Sequence, residues 1–458
     1  MTDYKATSED LTAVANAIRQ RGGTSAPLTF PDGFVAAIQN IPGGGTDKWV
    51  RPSDWPDYSQ IDISGEEACY FTYLANTENS FACIQITATG TYSVSVGVIE
   101  NGAFSALTTE TFTASAKYYK SLTGYSTDYV VVRIAGTITR LQFASYASGG
   151  IDNNLRAQTC VEIYGRVPHL GNCTDFVRNM VYVESVTLID AASISTLQRF
   201  GAETKRLTNV DISGVTSRIS AYLAFSSANG LRYLYLHGIK LSNVQNICQS
   251  TKLMYSDLEG WDVVATCTMA NAFNGSLLRK LDLSGWNMTA SAINSIFQDC
   301  LYLEEVDIST WTISGSMANA FRNTAIKHFP AGDFSRTTNT SNLFYSGSLV
   351  GDVIIPETTA TSLEGVVVYC DSIKTVTIPA NYTTIPANCF RDTRNLQEIH
   401  FLATTPPTLA NANAFSTNVN SSLKIYVPYS ADHSVLNAYK TATNWSTHAS
   451  IIVEEPAP

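Results

Sequence analysis

LMYSDLEGWDVVATCTMANAFNGSLLRKLDLSGWNMTASAINSIFQDCLYLEEVDISTWT, Leu253–Thr312, writes one motif three times. YSDLEGWD, RKLDLSGWN and EEVDISTWT share the order Asp, aliphatic, a small or polar pair, Trp, so Trp261, Trp286 and Trp311 fall 25 residues apart. A fixed period between roughly 20 and 50 residues marks stacked repeats. Outward from these three, the segments SVTLID, NVDISG, YLYLHG, HFPAGD, DVIIPE, TVTIPA, EIHFLA and KIYVPY continue the series from about Leu170, making about eleven coils. A second register runs in phase with the first: Phe176, Phe200, Phe225, Cys248, Phe273, Phe297, Phe321, Phe344, Tyr369, Phe390 and Phe415. One coil cannot bury either apolar row alone, whereas stacking buries both. The strands then form a parallel sheet about 4.8 Å apart and roughly 50 Å long. The Phe marker precedes a polar or small pair, as in FQDCLYL and FRDTRNL, which suits a short helix or turn.

LRKLDLSGWNMTASAINSIFQDCLYL resembles the BspA-like leucine-rich repeats, and VTIPANYTTIPANCFRDTRNLQEIHF resembles the flavour of that family in which Ile-Pro follows the strand. HFPAGDFSRTTNTSNLF departs from the pattern, which predicts a distorted coil near Phe329–Phe334. The ending YVPYSADHSVLNAYKTATNWSTHASIIVE is similar to the family's terminal segment, implying a short helix in which Leu436, Tyr439 and Trp445 cap the last coil. Open solenoids need such caps.

Upstream, two short helices are expected within residues 6–42, the first capped by Thr7 or Ser8 and stopped by Gly22-Gly23. DLTAVANAIRQRGGTSAPLTFPDGFVAAIQNI resembles the N-terminal segment of phage and prophage tail and baseplate proteins, and that resemblance implies an attachment or oligomerisation role for residues 1–45. From Trp49 to about Val167 the period becomes that of strands: ACYFTYL, FACIQITA, TYSVSVGVIE, FSALTTETFTA, DYVVVRIAG, TITRLQFAS and CVEIYG. Strands without intervening helices suggest an antiparallel jelly-roll or sandwich. Trp49, Trp55 and Tyr58 either form an aromatic platform for a sugar or pack the linker onto that domain. The expected fold class is therefore α+β, mainly β: a helical segment over 1–45, an antiparallel β-sandwich over 46–167, and a leucine-rich-repeat solenoid with a parallel sheet and C-terminal cap over 168–458.

The formal net charge of −10 and the absence of any Lys/Arg run argue against nucleic acid as a partner. No stretch of about 18 apolar residues exists, and MTDYKATSEDL lacks the layout of a signal peptide, so no membrane insertion and synthesis in a cytoplasm are expected. Nine scattered cysteines without a C-x-x-C pair support neither a disulfide framework nor a zinc site. GxSxG, HExxH and a Walker loop are absent, and the six histidines are dispersed, so no enzyme and no cofactor are expected.

Asp257, Asp282 and Asp307 would form a carboxylate ladder that either accepts hydrogen bonds within its coils or holds Ca2+. The Trp row recurs with the repeat itself and reads as scaffold. Binding is expected where strand side chains face away from the core, at Tyr233, Tyr235, Tyr255, Tyr302, His400 and Tyr426. These features lead to the expectation of a phage or prophage tail-tip receptor-binding protein on the virion tail. It would engage a bacterial cell-surface glycan or protein, attach to baseplate or tail proteins through residues 1–45, and form a homotrimer or other homo-oligomer. The alternatives are a bacterial surface adhesin or interaction protein, and a tail-associated polysaccharide depolymerase using Glu304 or Glu305 with Asp282.

Overall fold

The computed structural model describes residues 49–458 apart from 59, 62, 76–79, 144–157, 287, 388 and 416–419. Two compact units meet in the chain at Trp55/Pro56. In the first, the Trp49 and Trp55 rings lie 6.0 Å apart and the Arg51 guanidinium sits 5.5 Å from the Trp55 ring centre.

The second unit opens with β1 (Ala68–Leu74), β2 (Phe81–Ala88), β3 (Tyr92–Glu100), β4 (Ala103–Phe112), β5 (Ala116–Ser121), β6 (Tyr129–Ala135), β7 (Ile138–Phe143) and β8 (Cys160–Arg166). One strand row of the solenoid follows at β9 (Ser185–Ile189) and β10 (Asn209–Ile212). A return strand, β11 (Arg218–Ser220), then precedes β12 (Tyr233–Leu236), β13 (Lys240–Asn243), β14 (Tyr255–Ser256) and β15 (Asp262–Thr268). The two rows keep alternating through β16 (Lys280–Asp282), β17 (Thr289–Ala292), β18 (Glu305–Asp307) and β19 (Thr312–Ser316). Past the distorted coil come β20 (Gly351–Ile354), β21 (Ile373–Ile378), β22 (Thr384–Ile385), β23 (Glu398–Phe401), β24 (Thr408–Leu409), β25 (Lys424–Val427) and β26 (Ile452–Glu454). The strand segments aligned from sequence coincide with the first row. HFPAGD carries no strand, as its lost Asp-aliphatic core predicts.

The expected α+β class and its separate antiparallel sandwich are corrected, and the helical segment expected over 1–45 falls outside the described residues. The chain is mostly β, with a β-solenoid of about 12 turns. Residues 1–48 lie outside the described residues. Among those described, the only α-helix is α1, Ser434–Thr441. The antiparallel strands are not a free-standing sandwich, because β8 pairs antiparallel with β1 on one edge and parallel with β9 on the other. One nine-stranded sheet results, in the order β14-β12-β10-β9-β8-β1-β6-β3-β4, so the antiparallel strands extend the solenoid's own sheet. The strands β5-β2-β7 close over it, with Phe143 meeting Phe71 at 5.3 Å, and one hydrophobic core runs from Cys69 to Ile452. A solenoid end must be covered because unpaired strand edges invite association. At the N-terminal end the antiparallel strands provide that cover; at the C-terminal end α1, Trp445 and β26 lie over the last coils.

From Phe176 to Phe344 the Phe marker builds turns, whereas Phe415 ends a short 3-10 helix, Ala412–Phe415. Each turn holds two residues in the left-handed region, and along the coils the first of these is Asp175, Arg199, Leu223, Asn246, Asn271, Ser295, Asn319 and Asn342. Asn and Asp tolerate that conformation because their short polar chains bond locally, whereas a larger side chain is strained there. Backbone bonds still run from coil to coil, as from Phe225 N–H to the Ile247 carbonyl (2.8 Å) and from Phe321 N–H to the Leu343 carbonyl (3.0 Å). The phenylalanines stack behind them, Phe297 lying 5.9 Å from Phe273 and 6.0 Å from Phe321. One assignment in this register is corrected. Phe344 N–H bonds the Val366 carbonyl, so the buried Val367 takes the place expected for Tyr369, which sits left-handed against Tyr345 at 5.1 Å.

Leu223, at φ 56°, is the one aliphatic member of this series and is half-buried. Leu223→Asn is expected to raise stability by about 0.5–1 kcal/mol by relieving that strain. Guanidinium denaturation of both proteins checks it, and a lower midpoint would refute the strain argument.

All nine cysteines are free and buried. Cys300, Cys370 and Cys389 donate to carbonyls of the preceding coil, Phe273, Phe344 and Leu363, at 3.1, 3.1 and 2.9 Å. Burial pushes the Cys300 and Cys370 thiols up to about 12. They serve as core filler.

Candidate binding face

The regular features of the three central coils are consumed by structure. Trp286 stacks between Trp261 (6.3 Å) and Trp311 (6.0 Å), all three are buried, and the Trp286 and Trp311 indoles donate to the Leu258 and Leu283 carbonyls at 2.9 and 3.0 Å. The aspartates serve the scaffold, Asp257 across two coils and the other two within their own. Asp257 accepts from Leu236 N–H (2.9 Å) and the Trp261 indole (2.8 Å), Asp282 from Ser284 N–H (3.0 Å) and hydroxyl (2.6 Å), and Asp307 from Ser309 N–H (2.8 Å). The Ser309 hydroxyl, and after it the Ser309 N–H, hold the Asp307 carboxyl below the usual carboxylate range. Asp282 and Asp307 are register neighbours, but Asp257 follows β14, which is not bonded to β16. Among the described residues no group of three or more His, Cys, Asp or Glu is placed to hold a metal.

Strand alternation sends Leu234 and Leu236 into the core and leaves Tyr233 and Tyr235 on the outer face. Parallel pairing sets Tyr233 beside Tyr255, their rings stacked at 5.2 Å and 9°. Tyr235 stacks on His237 at 6.0 Å, and the exposed His237 reaches Asp211 with Nε2 at 2.9 Å and Asp257 with Nδ1 at 3.6 Å. Burial raises the Asp211 carboxyl above its ordinary range, against the pull of His237. Three of the sequence candidates, Tyr233, Tyr235 and Tyr255, therefore form one patch. His237 and Asp211 belong to it and were missed. The signal was available, since His237 lies two residues beyond Tyr235 and strand alternation returns it to the same face.

Next along the row, the strandless coil leaves a groove of about 480 Å³. Its floor includes Leu281, Val306, Phe329 and Pro330; Asp282, Glu304, Glu305 and Asp307 line it as well. Glu305 pairs with Lys280 at 3.0 Å. Tyr302 is half-exposed in the turn before β18, with Arg279 5.6 Å from its ring centre, and does not join the tyrosine patch. His400 and Tyr426 form a separate pair near the C-terminal end, stacked at 4.6 Å and 4°, with His400 Nδ1 2.5 Å from Glu455 and Nε2 3.3 Å from Glu398. Tyr58 is buried in the second unit against Thr72 and Tyr164, which removes its ring from any sugar platform.

Residues 266–397, which span this groove and its neighbours, match the BspA type Leucine rich repeat region in six copies. This stretch carries BspA-type leucine-rich repeats. The match is narrower than the resemblance read from sequence and leaves the tyrosine patch just outside it. Solved structures similar to the chain include a leucine-rich repeat protein from Bacteroides ovatus ATCC 8483, 13% identical over 68% of this chain and 100% of that one, with TM-score 0.33. A leucine rich cell surface protein from Faecalibacterium prausnitzii A2-165 is 14% identical over 70% of this chain and 90% of that one (TM-score 0.30). The pneumococcal vaccine antigen PcpA is 14% identical over 70% of this chain and 93% of that one (TM-score 0.28). No curated protein matches. Among the described residues, no helix is long and apolar enough to cross a membrane.

Proposed function

We propose that the chain is an adhesion-type interaction protein that presents the outer face of its strand row to a cell-surface glycan or protein and performs no chemistry on it. The observation that carries this reading is the tyrosine patch. Tyr233, Tyr235 and Tyr255 are held by their strands, stacked, and spared from the core, so they offer broad contact area at little cost in side-chain entropy. His400 and Tyr426 offer a second stacked pair of the same kind farther along the row. The tail-tip reading, and the homo-oligomer that goes with it, depends on Asp10–Ile41, which lies outside the described residues and outside the matched repeats. The interaction-protein reading stands ahead of it for that reason.

The test uses the fluorescently labelled full chain on a panel of whole bacterial cells. At least one strain is expected to bind it, and Tyr235→Ala is expected to lower binding roughly tenfold through loss of an aromatic anchor while the thermal midpoint stays nearly unchanged. Equal binding by the variant, or no binding to any strain, would overturn the assignment of the face. Release of reducing ends from bound cells would overturn the absence of catalysis and point to Asp282, Glu304 and Glu305.

A further inference from the structure

The nine-stranded sheet carries one continuous row of outer-face residues. In register it reads Thr109, Ser95, Arg133, Tyr70, Tyr164, Thr187, Asp211 and Tyr235. Tyr58, Ile61 and Ile63 roof the middle of this row, packing on Tyr70 and Tyr164. The roof divides the face in two. On one side lies the tyrosine patch; on the other is a groove of about 550 Å³ over β3, β4 and β6.

That second groove has a built interior. The Arg133 guanidinium sits 5.9 Å from the ring centres of both Tyr70 and Phe104, and its Nε donates to the Tyr70 hydroxyl at 3.2 Å. Nη2 pairs with Glu66, leaving Nη1 without a protein partner among the described residues. Beside it the Ser95 and Thr109 hydroxyls face each other at 2.9 Å, and Ser93 adds a third. Gly102, Ala103 and Ala106 line the groove with little bulk of their own. An oriented guanidinium, an aromatic wall and a row of hydroxyls are complementary to a pyranose ring bearing a carboxylate: the guanidinium takes the carboxylate by charge-assisted bonds, the hydroxyls take ring hydroxyls, and Phe104 takes an apolar sugar face.

We propose that this groove is a second binding site, specific for an acidic, carboxylate-bearing sugar unit of a glycan. Glu66 is half-exposed at the groove and is the competing anion for Arg133. Only the Glu66 side of the pair is half open to solvent, the Arg133 side chain being 16% exposed, so an incoming carboxylate takes the open Nη1 and competes with Glu66 for the rest of the guanidinium. The site is independent of the tyrosine patch, since the roof separates them.

The full chain is to be titrated calorimetrically with tri-galacturonate and a sialyl trisaccharide, and with maltotriose as the neutral control. At least one acidic probe is expected to bind at least about tenfold more tightly than maltotriose. Arg133→Gln is expected to weaken that binding roughly tenfold, and Glu66→Gln to tighten it about threefold by removing the competing anion. Ala106→Trp, at an exposed strand position, should block the groove without depending on Arg133 for folding, and Tyr235→Ala should leave acidic-sugar binding intact. No binding of either acidic probe, equal binding of maltotriose, or indifference to Arg133→Gln and Ala106→Trp would each overturn the proposal. Loss with Tyr235→Ala would move the sugar to the tyrosine patch.

Discussion

Trp286→Ala is expected to destabilise the repeat body by about 3–5 kcal/mol, the range for removing a buried aromatic side chain. Trp286 is 3% exposed, lies between two parallel indoles, and also approaches Phe273 at 6.5 Å. Its removal opens a cavity inside a stack whose neighbours are fixed by their own coils, so collapse is limited. It also strips the Leu258 carbonyl of its indole donor, and a buried acceptor left unmade adds to the cost. Trp286→Phe should recover part of the loss, since it restores ring stacking without the N–H. Chemical denaturation gives the magnitude, and amide exchange in β14–β18 shows where it falls, because a solenoid unfolds in neighbouring units. A change below about 1 kcal/mol would mean that the row is not scaffold.

The second large effect is expected at the C-terminal cap. Trp445 is fully buried among Phe401 (5.2 Å), Phe415 (5.5 Å) and Tyr439 (5.0 Å), and its indole donates to the Pro407 carbonyl at 2.8 Å. Tyr439 closes the same cluster by bonding the Ala403 carbonyl at 2.8 Å. Trp445→Ala should cost about 3–5 kcal/mol locally and loosen the end of the stack, exposing the apolar edge of the last coils. Hydrogen exchange should lose protection in β23 and β25 while β1, β6 and β8 keep theirs, and light scattering should detect concentration-dependent association. Uniform loss along the chain would contradict the local role assigned to the cap.

The scaffold was largely legible because its signals are local and repeated. Two apolar registers in phase locate the strand row, the buried phenylalanines and the distorted coil, and the terminal aromatic run locates the cap. The errors arose where local pattern is silent about partners. CVEIYGR alternates identically whether β8 pairs parallel or antiparallel, so nothing in it announces that β8 joins two kinds of sheet. Tyr369 was placed in the phenylalanine row by spacing, but the backbone ladder shifts the inward position to Val367. The turns read equally well as short helices, because polar or small residues suit both a helix end and a left-handed turn.

The candidate site divides along the same line. By itself the sequence determined the repeat, its period and which strand positions alternate outward, since these follow from chain geometry and apolar spacing alone. Only the tertiary structure decided which outward residues meet. Tyr233 reaches Tyr255 and Tyr235 reaches His237 through parallel register, and Arg133 lies in one row with Ser95 and Tyr70 through antiparallel register. Tyr58 lies over that row although 12 residues separate it from Tyr70. Cross-strand neighbours are chosen by hydrogen-bond register between distant segments, and a side chain's sequence position carries no record of that choice.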